Sequence, residues 1–251
     1  MKKKQKSLLA GSLTILVTLL SISGIYLGDH LSDSEQNKPA SSSYTEGTTE
    51  FDYASVPAYT GDAYVAINNN TPFFTKEDYT TESYETYGNL DSLGRCTVCT
   101  ACIGPDLMPT EKRGAIGSVK PSGWQIAKYD FIDGKYLYNR CHLIGYQLTG
   151  ENANEKNLIT GTRYLNVTGM LPFENMVGDY IKETGNHVLY RATPIFLEND
   201  LLARGVLLEG YSVEDNGSGI LFCVFCYNVQ PGVTIDYATG NNRVSEANQR
   251  F

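Results

Sequence analysis

Residues 136–174 read YLYNRCHLIGYQLTGENANEKNLITGTRYLNVTGMLPFE, and the rest of the chain is arranged to hold this stretch. It contains His142, one of three histidines in the protein, with Arg140 two residues before it and Asn157, Asn166 and Glu174 following 15, 24 and 32 residues later. A lone histidine says little, because most are surface or satisfied core residues. Its companions say more. A neutral imidazole takes a proton from water near pH 7. Amide and carboxylate oxygens suit a hard ion such as Mg²⁺, which keeps several of its waters and needs few protein contacts. An arginine stabilises charge on a phosphoryl oxygen. These are the parts for metal-assisted hydrolysis of a phosphodiester. Each residue also has a plainer use: the asparagines as caps of turns or helices, Glu174 as a favourable charge at a helix start, Arg140 as an ion-pair member.

Working outward, WQIAKYDFIDGKYLYNR (124–140) forms two strand-like runs joined by Asp133-Gly134, a hairpin signal. On the other side, the spacing predicts a helix over 172–183. Pro172 suits its first turn, Phe173, Met176, Val177, Tyr180 and Ile181 recur at helical intervals, and Gly185-Asn186 stops it. Strand patterns follow in HVLYRATPIF, LLARGVLLEGYSV, SGILFCVFCYNV and VTIDY, and one precedes in AYVAINNN (63–70). The expected class is α+β with an antiparallel β-sheet core. The central motif falls where a hairpin strand ends and a helix follows.

The N-terminus has four lysines in its first six residues and then no charged side chain until Asp29. That span exceeds the roughly 18 positions needed to cross a bilayer, so a signal-anchor is favoured over a cleaved signal peptide, for which Ser21 and Ser23 offer a small-x-small site. In both cases the working domain is extracytoplasmic. Residues 29–57, rich in Ser, Thr, Glu and Pro, read as a disordered polar linker. Residues 58–251 are then one domain, long enough for a proper core.

The net charge of −8 divides unevenly. Residues 29–94 carry 12 acids and 2 bases, residues 95–191 carry 9 acids and 11 bases, and residues 192–251 carry 7 acids and 3 bases. Beyond the N-terminal lysines, only the segment around His142 is basic, through Arg95, Lys112, Arg113, Lys120, Arg140 and Arg163. That leaves room for a polyanionic partner in an otherwise acidic protein. The six cysteines (96, 99, 102, 141, 223 and 226) suggest disulfides or buried thiols in an oxidising exterior. A metal or iron–sulfur loop at 96–102 is disfavoured, because Cys223 and Cys226, three apart in a strand-like run, face opposite ways. Cys141 lacks a nucleophile signature and reads as structural.

The runs NRCHLIGYQLTG, KNLITGTRYLNVTGM and PFEN resemble the active-site region of the DNA/RNA non-specific endonucleases, the ββα-metal (His-Me finger) family, whose core motif is written Asp-Arg-Gly-His. The similarity is strongest to the Gram-positive branch of streptococcal DNA-entry nucleases and streptodornases, and extends from LDSLGRC (90–96) through KPSGW (120–124) to VQPGVTIDYATG. The resemblance implies a ββα-metal motif with flanking helices and a Mg²⁺-dependent endonuclease, Mn²⁺ being the alternative ion, that cuts DNA with little sequence preference, RNA being the alternative substrate. It implies His142 as general base, Asn166 as the metal ligand, Glu174 as the orienter of metal-bound water, Asn157 as a second active-site asparagine and Arg140 as a phosphate contact or scaffold. The membrane enters only through the N-terminal segment, at a Gram-positive-type cell surface, and no obligate protein partner is expected. Two positions depart from the motif, Asn139 for Asp and Cys141 for Gly. The first loses a charge; the second is expected to join a disulfide with the 96–102 cluster. For the transition-state arginine the candidates are Arg95 and Arg163. The rival from another class is a surface-displayed binding module that kept the fold and lost catalysis. A cysteine-based redox protein is the third reading.

Overall fold

Strands rich in β-branched and aromatic residues dominate the second half of the chain, and a computed structural model, describing residues 50–246, shows how they pair. In chain order the elements are β1 (Tyr64–Ala66), β2 (Tyr84–Tyr87), β3 (Cys99–Ile103), β4 (Tyr138–His142), the short α1 (Tyr146–Thr149) and β5 (Leu158–Thr162). They continue with α2 (Leu171–Thr184), β6 (Val188–Ile195), β7 (Gly205–Ser212), β8 (Leu221–Tyr227), β9 (Val233–Ile235) and β10 (Asn242–Val244). Six strands form one antiparallel sheet in the order β1-β8-β7-β6-β3-β2. β4–β5 and β9–β10 are separate two-stranded ribbons. The expected α+β class with an antiparallel core is the one observed.

One face of the sheet packs on α2 and the ribbon. Phe173, Val177 and Ile181, which recur at helical spacing, meet Tyr190, Val206, Leu208 and Phe222 in the main cluster. Gly210 sits across from Phe222 in the β7–β8 register, and a Cβ there would lie 2.4 Å from the Phe222 ring, so the absent side chain is what lets the aromatic lie down. The opposite face holds Ile67, Leu207, Cys223, Phe225 and Tyr227. Phe51, Tyr53 and Val56 cover it, the Phe51 ring stacking 6.3 Å from Phe225, and the Tyr227 hydroxyl donates to the Pro57 carbonyl (2.7 Å). Packing therefore begins ahead of residue 58, where the domain was expected to start. The reason is chemical: Phe51, Tyr53 and Val56, set among polar residues, join Tyr59, Val65, Phe73, Ile195 and Val229 in covering this face. Buried within the sheet, Glu209 (1% exposed) accepts two bonds from Arg191, its register partner, at 2.6 and 2.7 Å.

The hairpin expected over 124–140 is only partly formed. Its turn is present, with Gly134 and Lys135 both left-handed (φ 71° and 67°), but the arms meet in a single bridge, Lys128 to Tyr136. Gln125 is instead bonded to Thr239 and Asn241, and β4 takes β5 as its partner. The 172–183 helix is found as Leu171–Thr184, with Pro172 in the first turn and Gly185 closing it in the left-handed conformation.

All six cysteines are free and buried, so the expected disulfide of Cys141 with the 96–102 cluster is absent. Cys141 faces the core, where a Cβ on Gly161 would lie 2.3 Å from its sulfur, while the Cys96, Cys99 and Cys102 thiols lie against the carbonyls of Leu158, Lys156 and Thr80. Residues 1–28, the expected membrane segment, lie outside the described residues. Within those described, no helix is long and apolar enough to cross a membrane.

Candidate active site

β-strand alternation sends Cys141 into the core and His142 to the other face, at the end of β4 where the chain leaves the ribbon. His142 is 5% exposed. Its Nε2 lies 2.7 Å from the carbonyl oxygen of Asn152, which can only accept, so Nε2 carries the proton and Nδ1 keeps its lone pair. Nδ1 faces the guanidinium of Arg113 at 3.1 Å. Burial pushes the imidazole down to about 4, with the Asn152 carbonyl opposing and Arg113 adding to the effect. The ring is therefore neutral at pH 7, with its Nδ1 lone pair accepting from Arg113.

Beyond His142 the strand ends, and Ile144 would lose its backbone partners. Asn157, wholly buried, replaces them: its Oδ1 accepts from Ile144 N–H (2.8 Å) and its Nδ2 donates to Ile144 C=O (3.0 Å). Asn157 does not line the cavity beside His142. Its place is behind the base, as a clamp on the loop that carries it.

That cavity has a volume of about 400 Å³ and is lined by Arg113, His142, Arg163, Asn166 and Glu174, among others. Asn166 reaches it from a π-helical turn, Leu165–Met170, that leads into α2. Such wide turns are rare and concentrate at functional sites. Its Nδ2 donates to Asn139 Oδ1 (3.3 Å), and among the described residues nothing donates to its own Oδ1. Asn139, the substituted motif position, thus still does an acceptor's job without a charge. Glu174 sits in the first turn of α2 with its carboxylate against Gly145, where a Cβ would come within 2.6 Å of Oε2. Burial pushes the Glu174 carboxyl up to about 7, against the pull of Arg113 and a hydrogen bond with Gln147. Asn166 and Glu174, an amide and a carboxylate, therefore line one cavity and together carry the kind of oxygen donors a hard divalent ion prefers. Among the described residues no group of three or more His, Cys, Asp or Glu is placed to hold a metal ion.

Residues 75–213, more than half of the chain, match the family model described as DNA/RNA non-specific endonuclease. The chain belongs to that family. NucA from Streptococcus agalactiae, in a structure with magnesium bound, superposes with a TM-score of 0.66 at 24% identity, over 76% of this chain and 91% of NucA. The Sda1 nuclease, in a structure with zinc bound, superposes at 0.60 and 26% identity, over 73% of this chain and 97% of Sda1. An extracellular endonuclease matches at 0.52 and 20%, over 74% and 100%.

In this phosphodiester-hydrolysing nuclease the basic segment divides by position. Arg113 and Arg163 line the cavity. Arg140 does not; it donates to the carbonyls of Val119 and Gly117 (2.9 Å for the latter) and lies 3.9 Å above the Trp124 ring, holding the 117–124 loop. Arg95 pairs with Asp91 and donates to the carbonyls of Glu198 and Asp200, away from the cavity. Sequence reasoning gave Arg113 no individual role, and it missed Gly145 and Asn152. Arg113 stands 29 residues from His142 on a segment without regular structure, so no spacing rule reaches it.

Proposed function

We propose that this nuclease hydrolyses DNA, and also RNA, outside the cytoplasm, with a divalent ion (Mg²⁺, or Mn²⁺ in its place) as cofactor. The observation that carries the reading is the fixed tautomer of His142. The Asn152 carbonyl anchors one ring nitrogen, and the lone pair of the other opens on a cavity shared with Arg113, Asn166 and Glu174. The metal-bound states of NucA and Sda1 support a divalent ion, and the uncharged span from residue 7 to 28 together with the extracellular match supports the location.

His142 Nδ1 takes a proton from water, whose oxygen attacks phosphorus as the bond to the 3′ oxygen breaks. Arg113, whose hydrogen bond among the described residues is to His142, yields that contact to the incoming phosphate and stabilises charge on its oxygens. Asn166 would hold the ion directly, and the Glu174 carboxylate would fix its water. When bound, the ion supplies charge neutralisation at the phosphoryl and departing oxygens. Asn139 keeps the Asn166 amide turned so that its oxygen faces the cavity.

The test is plasmid cleavage by the purified protein and its His142→Ala variant, each in Mg²⁺ and in EDTA. Cleavage that needs both is expected, with the variant down about 10²- to 10⁴-fold. Binding without cleavage by the wild type would replace this reading with that of a catalytically silent binding module.

A further inference from the structure

A second cavity, of about 540 Å³, adjoins the first and shares Arg113, Arg163 and Asn166 with it. Its other wall is of a different character, built from Trp124, Ile126 and Tyr136. Ile126 is 75% exposed and Tyr136 47% exposed, so folding leaves an apolar and aromatic surface facing water right beside a phosphodiester-cutting site. Both rings carry a cation on one face, Arg140 at 3.9 Å from the Trp124 centroid and Lys128 Nζ at 4.5 Å from that of Tyr136. At the wall common to the two cavities, Arg163 commits Nη2 to Asp133 (2.8 Å), while its Nε is buried with no hydrogen-bond partner. A buried donor left without an acceptor is costly, and the Arg163 guanidinium, which lines both cavities, still has hydrogen-bonding capacity for an anion.

We infer that this second cavity binds the nucleotide adjacent to the scissile phosphate, in a strand that is unpaired at that point. The inference rests on the nuclease reading above. The neighbouring phosphate meets Arg163, and the base lies against Tyr136 and Ile126. Inside a duplex both faces of a base are stacked, so a protein ring can be used only by a base that has left the stack. Every base offers a π-face, which makes such a platform tolerant of sequence. The nuclease therefore favours single-stranded or locally opened nucleic acid over intact duplex.

The protein's only tryptophan is Trp124, so tryptophan emission, excited to the red of the 18 tyrosines, reports on this cavity. His142→Ala protein in EDTA, which binds without cutting, is titrated with octathymidylate and with a blunt hairpin duplex. Octathymidylate is expected to change Trp124 emission at lower concentration than the duplex. Adding Tyr136→Ala is expected to weaken its binding about tenfold, Tyr136→Phe to restore it, and Arg163→Gln to lower the salt dependence by about one phosphate contact. Ile126→Ala, at a site too exposed to unfold the chain, is expected to weaken binding several-fold and guards against a misfolded tyrosine variant. Unchanged Trp124 emission at saturation, equal affinity with Tyr136→Ala, or duplex binding that depends on Tyr136 as strongly would each overturn the proposal. Because the readout is binding in EDTA, its failure is distinct from a failure of plasmid cleavage, which tests the nuclease reading alone.

Discussion

The six-stranded sheet and the β4–β5 ribbon bury polar groups to opposite ends. In the sheet, Glu209 and Arg191 pair through two hydrogen bonds, with Phe73 N–H adding a third to the carboxylate (2.7 Å), so the buried acid is satisfied within the fold. Around the cavity three polar side chains use only part of their capacity on their neighbours. His142 spends Nε2 on Asn152 and shares Nδ1 only with the Arg113 guanidinium, Asn166 spends Nδ2 and keeps Oδ1, and Arg163 spends Nη2 and keeps Nε. The sheet is finished by folding, whereas the ribbon is finished by what binds to it. Stability should therefore live in the first and activity in the second, and four changes would break or sharpen that division.

The largest effect belongs to Glu209→Ala. Removing one member of a buried pair leaves Arg191 uncompensated, at a cost of about 3–5 kcal/mol, or roughly 10 °C in Tm for a domain of this size. Cleavage per folded molecule at 25 °C should not change; a matching loss of specific activity would mean that the sheet and the site are coupled. Asn157→Ala comes next and cuts across the division, since it deletes both bonds to the Ile144 backbone. It should cost about 2–3 kcal/mol in denaturant melts and about tenfold in kcat with little change in KM. A variant that loses stability alone would show that the His142 loop keeps its shape unaided.

Gly145→Ala is milder. Its Cβ would come within 2.6 Å of Glu174 Oε2 and push the carboxylate aside, so the Mg²⁺ concentration for half-maximal cleavage should rise several-fold with Tm held. An unchanged metal titration would remove Glu174 from the proposed ion site. The smallest effect concerns pH. The His142 pKa is held below its ordinary value, at about 4, so between about pH 6.5 and 4 the unfolded chain takes up a proton that the folded one refuses. The wild type thus loses stability in that window as pH falls. His142→Ala lacks this loss, and the gap between the two Tm values should shift in the variant's favour by a few degrees on going from pH 7 to 4.5. A gap independent of pH would contradict the buried neutral ring.

What could be read from sequence was whatever local periodicity or local spacing encodes. The 172–183 helix, strands β6 to β9 and the strand-then-helix order around His142 all follow from side chains a few residues apart, whereas the pairing of β4 with β5 does not. The edge strand β2 and the cysteine-bearing β3 were not legible, because Cys, Thr and Ala in CTACI fit a loop as well as a strand until β6 lies beside them. The same limit applied to the site. His142, Asn166 and Glu174 lie within 33 residues of one another and converge on one cavity, whereas Arg113 and the Asn152 carbonyl reach it through tertiary folding. Asn157 and Arg140 were visible as residues, but their direction was not. One points behind the base and the other along the 117–124 loop, a matter of side-chain orientation that spacing does not specify.

The six unpaired cysteines make the fold a recorder of its own opening. Burial pushes the thiols of Cys96 and Cys223 up to about 12 and that of Cys102 up to about 11, with Cys99, Cys141 and Cys226 higher still. Because the thiolate is the reactive form, an alkylating reagent finds almost nothing to attack while the chain is folded, and six ordinary thiols once it opens. They are distributed through β3, β4, β8 and the segment leading into β3, so each molecule that unfolds in the reagent's presence gains its labels and carries the mark thereafter. Counting labels by mass separates molecules that have visited the unfolded state from those that have not, without a dye, a tag or a mutation.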